Sequence, residues 1–293
     1  VSVRARVKPV HVLEARDALF DDADQHGPRW PVLVRRAAPM VLLLPLMLAL
    51  SAYEPWRDVV AAVSQGTGAD VLLVAPVLAS IVLLAAALAP LARVRIEPLL
   101  GGGAVLLATA AWLVVQGQLV WSTIPGAVGA TLLGLAAARV VRRAVWVLPL
   151  LLAAGMSDAH SVAMGVTDRL LEDGVVNGAA GTKVVVEPVL SIDPALVARI
   201  DLLVLHVPAA TGTWLLGLVD VVALAMLLGL AHLYWLSVRR TALALGGALA
   251  LAVALGGVVP VLPLLGVAWI AVHARLVWRA TRFSLRRLTY LGG

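Results

Sequence analysis

Two carboxylates draw attention by where they sit. Asp158 lies in "GMSDAHSVAMGV", residues 155–166, at the end of a long apolar run, and Asp220 lies in "LGLVDVVALAM", residues 216–226. An ionised side chain at the centre of a bilayer costs on the order of 2.5–3.5 kcal/mol on insertion scales, so an acid kept there is a candidate for function. Two carboxyls brought together in a low-dielectric site share a proton, because both cannot ionise cheaply. Such a pair can activate water for peptide hydrolysis or pass protons through a transporter. The plainer alternative gives neither acid a chemical role. Asp158 then caps a span whose apolar part stops at Met156, and Asp220 pairs with His160 or a backbone group.

The remaining polar residues offer less. His160 follows Asp158 by two positions and so points to another helix face, which rules out a ligand pair. His232 and His273 are the only histidines at matched depth for a haem, and no ligand cluster suits zinc. The chain has no cysteine, which excludes disulfides, iron–sulfur clusters and thiolate chemistry. No lysine falls in a span, which excludes a retinal Schiff base. We therefore assign no cofactor and no metal. The glycines at 101–103, 246–247 and 256–257 read as places for close helix packing rather than phosphate binding. Most of the nine tryptophans fall near span ends, as interface anchors do.

The elements that must carry these residues are membrane spans. Of 293 residues, 61% are hydrophobic and only 14% charged, whereas soluble domains average nearer 45–50% apolar and about 25% charged. The expected fold class is all-α, a polytopic transmembrane helix bundle. A span needs about 20 apolar residues, and about eight stretches qualify: 38–53, 70–92, 99–116, 119–138, 144–165, 213–236, 241–256 and 258–275. The breaks at "QGQ" (116–118) and "GGVVP" (256–260) separate neighbouring spans.

With the N-terminus inside, 19 of the 23 Lys and Arg fall in inner segments, and four (Arg57, Arg169, Lys183 and Arg199) fall outside. That alternation predicts an N-in, C-in orientation in the plasma (inner) membrane. The net charge of +6 is therefore topological. It forms no basic patch with interleaved aromatics, so nucleic acid is excluded as a partner. The expected partners are the lipid bilayer and either a membrane-protein substrate or partner subunits.

The spans divide the chain. Residues 1–37 form a cytosolic or interfacial segment rather than a signal peptide, since no apolar core follows until Ala37. Spans one to five occupy 38–165, an exposed outer segment 166–212, and spans six to eight 213–275. A basic tail follows at 276–293; its arginines and apolar residues predict an amphipathic helix on the anionic inner leaflet. Within the outer segment, "TKVVVEPVL" (182–190) reads as a short strand. "DPALVARIDLLVLHV" (193–207) reads as a helix capped by Asp193 with Pro194 in its first turn.

Depth links the two acids. Asp158 follows Arg143 by 15 residues, about 22 Å up a crossing of about 30 Å. Asp220 follows Thr213, the outer start of span six, by seven residues, about 10 Å below the outer surface by the same rise. The carboxylates then meet at similar depth on neighbouring antiparallel spans.

At these residues the chain resembles the presenilin and signal peptide peptidase group of intramembrane aspartyl proteases. That group carries Tyr-Asp, Gly-x-Gly-Asp and Pro-Ala-Leu motifs in this order. The matching strings are Ser157-Asp158, Gly217-Leu218-Val219-Asp220 and Pro260-Val261-Leu262, within about residues 150–275. Ser157, Val219 and Val261 stand where the group has Tyr, Gly and Ala. The resemblance implies Asp158 and Asp220 as the catalytic pair, and Gly217, Pro260 and Leu262 as substrate-binding residues. The residues alone leave two other readings open: a permease or proton-coupled transporter, and a non-catalytic subunit or assembly factor of a membrane complex.

Overall fold

A computed structural model describes residues 30–64, 67–141, 149–153, 155–156, 202–209, 212–255 and 261–291. The described chain is predominantly helical. Its order is α1 (Trp30–Ala52), α2 (Glu54–Val63), α3 (Thr67–Leu88), a 3-10 turn (Ala89–Arg93), α4 (Ile96–Val115), α5 (Leu119–Val140), β1 (Val204–Ala209), β2 (Gly212–Gly217), α6 (Leu218–Leu233), α7 (Val238–Ala254) and α8 (Val261–Leu291). Three described helices are long and apolar enough to cross a membrane, and the bent pair α1–α2 raises that to four if it forms one span. α6 and the start of α8 are shorter apolar helices.

Local chemistry sets the breaks. Pro55 begins a new helix because its ring would clash with the preceding turn of α1. α2 consequently bends away by 69°. Val60 of α2 packs against Ala69 and Leu73 and pins α2 to the start of α3. Pro90 ends the α-helical part of α3 in the same way, and the chain leaves through the 3-10 turn. Between α4 and α5, Gly117 takes φ +74°, a left-handed value natural to glycine after a helix C-terminus. The tight turn sends α5 back along α4.

Lipid tails are as apolar as leucine, so helices in a bilayer associate through close packing rather than hydrophobic exclusion. The glycines show where this happens. A Cβ on Gly129 would lie 3.0 Å from the Gly103 carbonyl oxygen. A Cβ on Gly134 would lie 2.7 Å from Ala225 Cβ and 3.0 Å from Met226 N, so α5 and α6 touch backbone to backbone.

α6 sits at the centre. Leu227, Leu228, Leu230 and Ala231 are fully buried, and the helix packs against α3, α5, α7, α8 and the 3-10 turn. At one end of the bundle Arg139 donates to the carbonyls of Arg93 and Val94, both at 2.8 Å. The Arg93 guanidinium lies 4.3 Å from the centre of the Trp235 ring, and Tyr234 donates to the Val141 carbonyl. This knot ties the ends of α3, α5 and α6 together.

Candidate functional site

Span six differs from the expectation of one continuous helix over 213–236. Gly212–Gly217 is a strand, and the helix begins only at Leu218. The helix expected over 193–207 also fails at its end, because Val204–Ala209 is the partner strand. β1 and β2 pair antiparallel from Val204↔Gly217 to Ala209↔Gly212. "VLHVPA" and "GTWLLG" carry the β-formers Val204, Val207, Thr213 and Trp214, a strand signal that the surrounding apolarity masks. The depth of Asp220 changes as a result. A strand advances about 3.3 Å per residue against 1.5 Å in a helix, so counting at helical rise from Thr213 places it too shallow.

Backbone groups of this hairpin are satisfied one edge at a time. The Leu218 N–H donates to the Leu203 carbonyl, which fixes the alternation of the ladder. His206 then faces away from β2, and so does Pro208, whose missing N–H costs the ladder nothing. Thr123 of α5 covers the His206 position with a single hydroxyl. It accepts from His206 N at 3.0 Å and donates to His206 O at 2.9 Å. Arg57 of α2 donates to the Ala209 carbonyl at the hairpin tip, at 2.9 Å. On β2 the same alternation turns the main-chain groups of Thr213 and Leu215 outward, whereas the carbonyl of Gly217 begins the hydrogen bonds of the helix that follows. Among the described residues no strand pairs with that edge.

β2 runs into α6 without a loop: Gly217 is the N-cap, and Asp220 stands in the first turn. The carboxylate folds back over the cap, so that a Cβ on Gly217 would lie 2.9 Å from Asp220 Oδ2. A carboxylate here is stabilised by the positive end of the helix dipole. Asp220 is half-buried, whereas Val219 is 63% exposed and points out of the bundle.

The side of α6 that bears Asp220 is turned away from α5. Gly126 and Gly134 of α5 lie against Leu218 and Ala225, on the opposite side. Leu227, seven residues after Asp220, shares its face and accepts from Trp269 Nε1 of α8 at 3.3 Å. Leu262 precedes Trp269 by the same seven residues, and α6 and α8 run in the same direction. Asp220 and Leu262 therefore stand within about one helical turn of the same level. Leu262 is buried at 7%.

The described part of span five comes to this level too. A Cβ on Gly155 would meet Pro263 at 3.6–3.9 Å, and one on Gly266 would meet Leu151 at 3.7 Å. Asp158, His160 and Pro260 lie outside the described residues. The hairpin and its Thr123 and Arg57 clamps are the features that sequence reasoning missed. Comparison with protein-family models, curated proteins and solved structures gave no match.

Proposed function

We propose that this chain is an intramembrane aspartyl protease of presenilin-like type, with Asp220 and Asp158 as the catalytic carboxylates. One observation carries the reading. A crossing segment is broken into an edge strand and a half-helix, with an acid at their junction. Non-helical backbone at membrane depth persists only where protein buries it or a water-filled cavity adjoins it. A peptidase working inside a membrane needs three things at one point: water, a carboxylate and a track for extended peptide. The outward groups of Thr213 and Leu215 supply such a track, because a substrate strand can add to the edge of β2 that no described strand occupies. One carboxylate then takes a proton from the attacking water while its protonated partner supports the scissile carbonyl and supplies the proton of the leaving amine. Leu262 borders the cleft from the α8 side, and Pro260 is the second substrate-binding residue this reading assigns.

The surrounding architecture in this proposal is an eight-span bundle in the plasma (inner) membrane with both termini inside. The meeting of Arg93 and Arg139 at one end of the bundle, with Arg57 bonded to the hairpin tip, supports this orientation.

The test is cleavage of a membrane-embedded reporter in proteoliposomes. Asp220→Asn and Asp158→Asn should each abolish it while leaving the protein folded. Cleavage surviving in either variant would end the proposal. A second reading, a proton-coupled transporter, draws on the same broken crossing, since discontinuous helices place ion sites at half-helix ends. Under that reading Asp220→Asn removes pH-coupled uptake, and the wild type never cleaves the reporter.

A further inference from the structure

α2 is short, but its residues are sorted. Trp56, Val59, Val60 and Val63 recur at i, i+3, i+4 and i+7, which puts them on one side of the helix. Glu54 and Asp58 stand on the other side, and both are exposed. Arg57 lies at the border and donates to the Ala209 carbonyl at the hairpin tip. Of the apolar four only Val60 is buried, against Ala69 and Leu73 of α3. Trp56, Val59 and Val63 remain exposed, Val63 at 80%.

The position of α2 follows from α1. From Ala37 to Ala52 that helix carries no charge, a length of about 24 Å against a hydrocarbon core of about 30 Å. A helix that enters the core at Ala37 therefore reaches its bend at or slightly below the far edge. The 69° bend then swings α2 toward the plane of the membrane. Leu42, Leu46 and Leu50, exposed at every fourth position of α1, lead up to the bend, where Tyr53 is exposed too. The apolar side of α2 continues this lipid-facing file.

We propose that α2 lies in the leaflet at the hairpin end of the bundle and holds the hairpin tip at a fixed depth through Arg57. Trp56, Val59 and Val63 enter the acyl region, while Glu54 and Asp58 face water. The occupant of the apolar side is lipid rather than protein. Three exposed side chains on a helix of about 15 Å cannot supply the roughly 800 Å² that each partner of a stable protein interface buries. With Arg57 committed to Ala209, the other charges of α2 are acidic, so a neutral lipid suffices. This seat is independent of the peptidase reading.

The chain has no cysteine, so single cysteines report directly. The full chain bearing Val63→Cys or Asp58→Cys is spin-labelled in phosphatidylcholine vesicles. Collision rates are read with oxygen, which concentrates among acyl chains, and with a nickel chelate, which stays in water. The label at 63 should meet oxygen and escape nickel, and the label at 58 should do the reverse. Two water-exposed labels, or two lipid-exposed ones, would overturn the proposal. So would a label at 63 shielded from both reagents, which would give the apolar side to residues 157–201 or to a second copy of the chain. The hold on the hairpin is read separately. Val59→Glu and Val63→Glu should each lower the docked-to-undocked ratio about tenfold or more. Together they should speed hydrogen exchange at 204–217 as much as Arg57→Gln does. The end around Arg139 should stay protected throughout, which separates loss of the seat from unfolding. Exchange unchanged in the double variant would show that the leaflet does not hold the hairpin.

Discussion

Asp220 combines two roles that substitution can separate. Its charge stabilises the start of α6 by about 0.3–1 kcal/mol, so Asp220→Asn should lower the melting temperature in detergent only slightly while cleavage disappears. Gly217→Ala sets a methyl 2.9 Å from the carboxylate and forces the acid to move. We expect at least a tenfold fall in kcat with little change in melting, and full activity in this variant would argue that Asp220 does no chemistry. Thr123 is a different case. Its hydroxyl serves both main-chain groups of His206 in a buried setting. Thr123→Val should cost about 1–3 kcal/mol for each group left unpaired and raise hydrogen exchange across 204–217, whereas Thr123→Ser should behave as wild type. Asp220 could be singled out from sequence because an acid in an apolar run is conspicuous. Thr123 could not, because a threonine in a helix says nothing of the strand, 83 residues away, that needs it.

At the level of elements, glycine substitutions should give opposite signs according to their neighbours. Gly134→Ala inserts a methyl between α5 and α6 at 2.7 Å from Ala225 Cβ, and overpacking of this kind costs about 1–3 kcal/mol. Gly101→Ala meets nothing within 4 Å and should stabilise α4 by up to about 1 kcal/mol through helix propensity. Thermal unfolding in one detergent compares the two directly. The runs at 101–103 and 246–247 suggested close packing, yet only Gly103 among them is pressed within 3.0 Å of a neighbour, while the lone Gly134 and Gly229 are too. A run of glycines shows that a close approach is permitted, and only the partner helix decides where it occurs. Trp269 makes the same point. Trp56, Trp112, Trp121, Trp235 and Trp278 are exposed, four of them at helix ends or in turns, as interface anchors should be. Trp269 instead is 1% exposed and bonded to α6.

For the molecule as a whole, the clamp between Arg57 and Ala209 joins residues 152 apart in sequence and holds the hairpin that feeds α6. Arg57→Gln should loosen that hairpin, seen as faster exchange at 204–217, while the knot around Arg139 at the far end stays protected. Orientation can be read with single cysteines at Ser64 and Ser237. An impermeant thiol reagent applied outside cells should label the first and not the second, and the reverse pattern would refute the N-in arrangement. Apolar run length, read along the chain alone, determined the membrane character and most helix boundaries to within a few residues, because a bilayer asks a similar length of every crossing helix. The tertiary structure alone decided that the stretch expected as one helix over 213–236 is part strand. In so apolar a stretch helix and strand bury similar surface, and the choice fell to partners far away in sequence. It also decided that Asp220 is turned away from α5, because a helix's rotation is set by whichever neighbours its small residues let approach.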